Sequence, residues 1–142
     1  MQQARQDHGC FSIYTNNTVT EIVVVGGYCR DYNGNDIPNC DKGRINSTEI
    51  LSLADMTWSH GPDFPYEIHH NKGVTSIQDE FLGYSVGGYG HQDIMGLKKT
   101  NGRLEWVSAG TLTEYRSHFS AVKAPRSLTP HDRLPPLQPH PT

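Results

Sequence analysis

The stretch Glu21–Tyr28, EIVVVGGY, decides the fold, because a near copy of it returns as Phe81–Tyr89, FLGYSVGGY. Each copy is an apolar run that ends in a pair of glycines. A strand that is apolar on both faces lies between two packed layers, and glycine lets the backbone bend where a side chain would collide. We therefore expect each copy to be a buried strand in a stacked, repeated unit.

The spacing of two other landmarks defines the length of this unit. Gly26 and Gly87 are 61 positions apart, whereas Trp58 and Trp106 are only 48 apart. The difference of 13 predicts a loop inserted between the glycine pair and the tryptophan of the first unit. A repeat of about 48 residues lies in the range of solenoid and propeller architectures.

Three histidines give a further marker of the repeat. His8 is expected to open the first unit, His70 the second and His118 a third. His70 and His118 are again 48 positions apart, in agreement with the tryptophans. The sequence therefore predicts two units and the beginning of another.

A period near 50 residues, with a glycine pair after an apolar strand and a later tryptophan, resembles the kelch repeat of the β-propellers. In that family the glycine pair ends the second strand of a four-stranded blade and the tryptophan lies on the fourth. The resemblance implies an all-β fold, an incomplete kelch-type β-propeller with four-stranded antiparallel blades, over about residues 1–125. The expected strands are Cys10–Thr15, Thr20–Gly26, Ser47–Leu53 and Thr57–His60, then Lys72–Gln78, Glu80–Gly87, Asp93–Lys98 and Leu104–Ala109.

The resemblance also implies a domain organisation. The first blade covers 1–60, with an inserted loop at 28–46, and the second covers 61–111. Residues 112–125 are expected to hold the first strand of a truncated third blade, at His118–Lys123. The remaining residues, 126–142, are expected to form a proline-rich, disordered tail. Kelch propellers usually close with about five to seven blades. We therefore expect a fragment of a larger protein, or copies that associate to complete a ring.

The kelch pattern is not matched at every position. The tyrosine that kelch units often carry before the tryptophan is replaced by Leu51 in the first unit and by Leu97 in the second. Leucine can still fill the interior, so we expect both side chains to be part of the core.

Composition argues against several classes of function. The formal charge is −3 and there are no basic runs, which argues against nucleic acid as a partner. No apolar run approaches the roughly 20 residues that cross a membrane, and the polar N-terminus lacks the apolar core of a signal peptide. Membrane association is therefore not expected.

The inserted loop is bracketed by Cys29 and Cys40. A disulfide between them would hold the loop closed and add about 2 to 3 kcal/mol of stability in the chain-entropy model. Two free thiols in a reducing compartment are the alternative, and the sequence leaves both open. Cys10, on the first expected strand, is interpreted as a small buried apolar residue.

Two tripeptides match the N-glycosylation sequon, at Asn16 and at Asn46. Such tripeptides are common by chance, so for each of them taken alone an unused site is favoured. Together with the cysteine pair, they favour an extracellular location slightly over a cytoplasmic one.

No metal or cofactor site is predicted. The inserted loop carries oxygen-bearing side chains with some likeness to an EF-hand, but no glutamate stands at the twelfth position and no helices flank it, so a solvated turn is favoured. The histidines are interpreted as structural, because adjacent side chains of an extended segment, as at His69 and His70, point to opposite sides.

The function that the resemblance implies is protein binding through loops on one rim of the propeller. The candidate contacts are Tyr28, Arg30, Tyr32, Tyr89 and His91, since aromatic residues and arginine often anchor interfaces. The alternative is that these five are exposed loop residues that bind no partner. A remnant of a galactose-oxidase-like enzyme is the other candidate, but no catalytic motif is present and we expect no enzymatic activity.

Overall fold

The described part of the chain is all-β. The computed structural model describes residues 1–31, 33–35, 37, 38, 40, 43–77 and 79–123. Each of the eight strands predicted for the two repeats is present, with ends displaced by at most three residues. The strands are β1 Gly9–Thr15, β2 Thr18–Val25, β3 Thr48–Ser52, β4 Thr57–His60, β5 Lys72–Thr75, β6 Phe81–Val86, β7 Asp93–Thr100 and β8 Arg103–Thr111.

The strands form two four-stranded antiparallel sheets. The strand orders are β1-β2-β3-β4 and β5-β6-β7-β8, so each sheet is a simple meander built from one repeat unit. Consecutive strands alternate in direction. The residues 26–47, 61–71 and 87–92 therefore leave the sheets at one edge, which we call the loop rim, and the short turns of the hairpins lie at the opposite edge, the turn rim.

The core lies between the two sheets. Phe11, Val23 and Ile50 of the first sheet form one buried cluster with Leu97 of the second, and Trp106 packs against it. Leu97 is fully buried, as expected from the sequence. Leu51 is only half-buried, because it follows Ile50 on the same strand and its side chain points to the face turned away from the second sheet.

Two glycines allow the sheets to approach closely. A Cβ atom on Gly73 in β5 would collide with the backbone of Cys10 in β1, and one on Gly83 in β6 would collide with the ring of Phe11. Glycine in these strands therefore marks the line of closest contact between the two layers.

The glycine pairs that end β2 and β6 bend the backbone as predicted. Gly26, Gly27, Gly87 and Gly88 all have positive φ angles, between 58° and 126°. This is the left-handed region, which glycine enters without steric cost. The N–H of Gly27 donates to the carbonyl of Ile68, and that of Gly88 donates in the same way to the carbonyl of Arg116.

These hydrogen bonds correct the register of the third sequence marker. Because Gly27 and Gly88 are equivalent, Ile68 and Arg116 are equivalent too, and so are His70 and His118. The matching residue of the first unit is Asp7 and not His8, since the three residues have φ angles of 54°, 58° and 55°. The prediction that His8 opens the first unit is wrong by one position.

Residues 112–123 follow the second sheet, but the predicted strand His118–Lys123 does not form. A strand requires a ladder of hydrogen bonds with a neighbour, and none of the described residues lies alongside this segment as a strand. The segment is attached by backbone bonds, from Leu112 N–H to the carbonyl of Gln92 and from Gly88 N–H to that of Arg116. The ammonium group of Lys123 also contacts the carboxylate of Asp79 and the hydroxyl of Ser76. The tail at 126–142 lies outside the described residues.

Cys10 is exposed, so the prediction of a buried apolar residue is wrong. The reason is the alternation of side chains along β1. Phe11 and Ile13 point into the core, which turns Cys10 to the outer face of the first sheet.

Among the described residues, no helix is long and apolar enough to cross a membrane.

Candidate functional site

A row of aromatic rings crosses the loop rim. The ring of His69 lies between two tyrosines, with centroids 5.7 Å from Tyr28 and 5.3 Å from Tyr89. The ring of His69 also lies 4.9 Å from that of His70, and the ring of His70 lies 4.0 Å from that of His118. We call these five residues the rim ring cluster.

The repeat itself places the two tyrosines in this row. Tyr28 and Tyr89 each follow a glycine pair directly, at the same point of the two units. The N–H of Tyr28 donates to the carbonyl of Gln6, and the N–H of Tyr89 donates to the carbonyl of His69. Equivalent backbone bonds thus hold both aromatic rings at the same edge of the fold.

A second pair of stacked rings lies on the same rim. His91 stacks on Tyr66 with a centroid distance of 4.2 Å and an interplanar angle of 11°. The hydroxyl of Tyr66 donates to the carboxylate of Asp93 over 2.8 Å. Burial and this carboxylate raise the pKa of Tyr66, so its hydroxyl remains the donor to Asp93.

The rim ring cluster borders a cavity of about 330 Å³. The residues lining it are Gln6, Asp7, Tyr28, Arg44, His69, His70 and Tyr89. Asp7 and His70 face each other across 3.7 Å between Oδ1 and Nδ1. Burial lowers the pKa of His69, and the neighbouring His70 and Arg44 lower it further. His69 is therefore largely neutral at pH 7.

The inserted loop beside this cavity is closed by a disulfide between Cys29 and Cys40, which confirms one of the two alternatives left open by the sequence. Cys29 is buried, with only 1% of its surface exposed. The bridge thus ties the loop to a fixed point next to Tyr28.

In the inserted loop, the Asp31 carboxylate is bonded to the backbone of its own turn. Oδ1 of Asp31 accepts hydrogen bonds from the backbone N–H groups of Asn33 and Asn35, at 2.9 and 2.8 Å. The carboxylate thus caps its own turn. Within the described ranges, which omit Asp36 and Asp41, no group of three metal-ligating side chains is found.

The predicted contact residues have different environments. Tyr89 is the most open, with 59% of its surface exposed, whereas Tyr28 and His91 are half-buried within their ring contacts. The side chain of Arg30 lies against Gly43, and Tyr32 is outside the described residues. The structure thus brings Tyr28 and Tyr89 together around His69, and places His91 on a separate ring pair of the same rim.

Sequence reasoning missed two members of the site. His69 was interpreted as structural, on the expectation that the side chains of His69 and His70 point to opposite sides, whereas their rings lie 4.9 Å apart. Arg44 gave no signal, because it reaches the cavity through an isolated backbone bridge to Tyr28 at the end of the inserted loop.

The two sequons differ in accessibility. Asn16 is exposed at the tip of the first hairpin, with a φ of 50°. Asn46 is half-buried, and the sequon hydroxyl of Thr48 is buried, where it accepts a hydrogen bond from the indole of Trp106. A glycan therefore fits the surface at Asn16 better than at Asn46.

Comparison with known proteins adds nothing to this description. No protein-family model matches the chain, and no curated protein is significantly similar to it.

Proposed function

We propose that this chain is a kelch-type β-propeller segment that acts as a protein-interaction module, with its partner bound at the loop rim. The propeller interpretation is supported by the repeat of about 48 residues, by the two meander sheets stacked face to face, and by the positive φ angles of both glycine pairs. Each feature belongs to a blade-like unit that buries its faces against neighbours.

The observation that carries the proposal is the position of Tyr28 and Tyr89 on either side of His69. Rigid aromatic side chains lose little conformational freedom when they are covered, and they are enriched among the residues that dominate binding energy. Among the described residues, the turn rim has no comparable row of ring contacts beyond the single pair of Phe81 and Tyr84. The described residues of this rim include two exposed apolar side chains, Met56 and Ile77. A cavity of about 360 Å³ there is lined by Tyr14, Asn16, Asn17, Ile77 and Asp79.

A photo-cross-linking experiment tests this proposal. A benzoylphenylalanine is placed at position 91 on the loop rim, or at position 56 on the turn rim as the control. After irradiation in an extract of the source cells, we expect a discrete protein adduct from position 91 and none from position 56. The same adducts from both positions would contradict a binding surface on the loop rim.

A purified partner then allows a quantitative test. The substitution Tyr89→Ala removes an exposed aromatic anchor, and we expect it to weaken binding by about 1 to 2 kcal/mol. The matched control is Met56→Ala, which removes a similarly exposed side chain from the other rim and leaves the affinity unchanged. Equal losses in the two variants would contradict the proposal.

Self-association is part of the same proposal. The outer face of the second sheet, with Val74, Val86 and Ile94, borders an apolar cavity of about 600 Å³ that residues 112–123 cover only in part. In a propeller this face is covered by a further blade, which a longer chain or another copy supplies. Sedimentation velocity of the full chain over a range of concentrations tests the second source. A species that stays monomeric throughout would exclude copies as the supplier.

A further inference from the structure

Charged as well as aromatic side chains line the rim cavity. Arg44 is exposed and lines the cavity together with His69 and His70, whereas Asp7 is the one carboxylate among the lining residues that the structure describes. Asp7 faces His70 at 3.7 Å, which pairs it with that imidazole. No carboxylate of the described residues forms an ion pair with Arg44. An anionic group that enters the cavity therefore meets an Arg44 side chain that no described carboxylate neutralises.

The rings of the cluster form part of the cavity wall. Tyr28 and Tyr89 both contact His69, and these three side chains line the cavity together with Arg44. A ligand in the cavity therefore meets an imidazole and an arginine as well as two tyrosine rings. A carboxylate fits these surroundings. It accepts two parallel hydrogen bonds from a guanidinium, and the methylene stem of a glutamate packs against a tyrosine ring.

We propose that the rim cavity binds a glutamate or aspartate side chain of an acidic peptide segment, and that His69 takes up a proton when the carboxylate enters. This inference rests on the proposed function, because it specifies the partner that the loop rim recognises.

Proton uptake follows from the surroundings of His69. The groups facing it are Asp7 from the N-terminal segment, His70 on its own segment, Arg44 from the inserted loop, and His91 with Tyr89 from the loop between β6 and β7. In the free protein, burial and the cationic neighbours lower the pKa of His69. An incoming carboxylate favours the imidazolium and raises that pKa.

The sign of the pH dependence is therefore defined. Because the pKa of His69 is higher in the complex than in the free protein, binding is accompanied by proton uptake as the pH falls through the interval between the two values. Affinity rises in that direction, by about tenfold for each unit by which the carboxylate raises the pKa.

An NMR titration of the full chain tests the inference. The Cε1–H signal of each histidine is followed from pH 5 to pH 8, alone and with a synthetic peptide of alternating glutamate and glycine. A peptide with glutamine in place of glutamate is the matched control. We expect the glutamate peptide to raise the pKa of His69 by about 0.5 unit or more, and the glutamine peptide to leave it unchanged.

Two internal controls make the result specific. His60 lies exposed on β4, outside the cavity, and its signal should not respond to either peptide. The substitution Arg44→Gln should weaken the response of His69, whereas Arg103→Gln, the same change at an exposed position in β8, should preserve it. An unchanged His69 signal in a folded protein, or equal responses of His69 and His60, would overturn the inference.

The source of the anion is decided in the same experiment. If 10 mM inorganic phosphate raises the pKa of His69 and the glutamate peptide does not, the cavity recognises phosphate and the acidic peptide is excluded. The outcome is also independent of the cross-linking test. If a partner is captured at position 91 but His69 does not respond, the proposed interaction function stands and recognition of an acidic segment is excluded. If His69 responds but no partner is captured, recognition of an acidic segment stands and the proposed interaction function loses its support.

Discussion

The indole Nε1 of Trp106 donates a hydrogen bond to the hydroxyl of Thr48 over 3.1 Å, from the second sheet to the first. The same N–H lies 3.2 Å from the carbonyl oxygen of Pro62 in the connection between the sheets. Trp58, its equivalent in the first unit, pairs with Leu51 on the face turned away from the second sheet. The two tryptophans therefore occupy the same position of the repeat, but only Trp106 forms a hydrogen bond between the two sheets.

We expect Trp106→Phe to destabilise the fold by about 1 to 3 kcal/mol. Phenylalanine keeps the edge-to-face contacts with Phe11 and Phe64, but it leaves the Thr48 hydroxyl and the Pro62 carbonyl without their donor. The matched change Trp58→Phe should cost less, since Trp58 is half-exposed on an outer face. Urea unfolding followed by circular dichroism measures both. A larger loss at Trp58 would contradict the assignment of the inter-sheet contact to Trp106.

A buried ion pair offers a sharper test of the repeat. Arg5 and Glu49 lie 2.7 Å apart, and their side chains are 0% and 1% exposed. The equivalent residues of the second unit are Ile68 and Met95, which belong to one apolar cluster. The same place in the fold is thus filled by an ion pair in one unit and by an apolar contact in the other.

The single change Glu49→Met leaves the Arg5 cation buried without its partner, and we expect a loss of about 3 to 5 kcal/mol. The double change Arg5→Ile and Glu49→Met copies the second unit and should recover most of that loss. The control is Glu80→Gln, which breaks the exposed pair with Lys98 and should cost less than about 1 kcal/mol. A double variant less stable than the single one would show that the two units are not equivalent here.

The repeat also explains how far the sequence predicts the structure. Glycine pairs and tryptophans are local patterns, and the resemblance to the kelch repeat that they carry implies all eight strands. The failures arise where a residue's environment depends on which neighbour is present. Cys10 and Leu51 have the sequence of core residues, yet they point to the face of the first sheet that the second sheet does not cover. His118–Lys123 has the pattern of a strand without a strand beside it.

The site was predicted in the same uneven way. Tyr28, Tyr89 and His91 follow from their position after the glycine pairs and reach the expected rim. His69 and Arg44 belong to the connection and to the inserted loop, and their approach depends on backbone bonds between distant segments, such as Ile68 N–H to the carbonyl of Ile45. No local pattern encodes such a bond.

The attachment of residues 112–123 should depend on pH. Hydrogen bonds from the Lys123 ammonium and the Tyr84 hydroxyl lower the pKa of Asp79 below its ordinary value of about 3.9. A carboxylate with a lowered pKa contributes stability above the pKa of the unfolded chain, and that contribution is lost as the pH falls through the folded value. The contribution is therefore complete at pH 7 and declines only below about pH 4.

The variant Asp79→Asn isolates this effect. We expect it to lower the free energy of unfolding by about 1 kcal/mol at pH 7, and we expect the difference from the unchanged protein to shrink as the pH is lowered below 4. Urea titrations at pH 7 and pH 3 measure the two differences. If the substitution costs as much at pH 3 as at pH 7, its effect comes from packing and not from the ionised carboxylate.

The disulfide-bonded cysteines and Cys10 should differ in their reactivity toward thiol reagents. Cys29 and Cys40 are joined across 11 positions, whereas Cys10 is a free cysteine on the outer face of the first sheet. Desolvation of its sulfur by neighbouring atoms raises the pKa of Cys10. The reactive thiolate is therefore scarce at pH 7, and alkylation should accelerate at higher pH. We expect native, non-reduced protein to take up one iodoacetamide group and reduced, unfolded protein to take up three.

Removing the bridge should have a measurable cost. In the chain-entropy model a loop of this length contributes about 2 to 3 kcal/mol, so the double change Cys29→Ser and Cys40→Ser should lower the free energy of unfolding by up to that amount. Cys10→Ser is the matched control, because it replaces an exposed thiol and should change stability by less than about 0.5 kcal/mol. The loss should be accompanied by a weaker response of His69 to the glutamate peptide, since the loop that carries Arg44 is no longer held beside the rim ring cluster. A stability loss with an unchanged His69 response would mean that the backbone bridge between Tyr28 and Arg44 positions the cation without help from the disulfide.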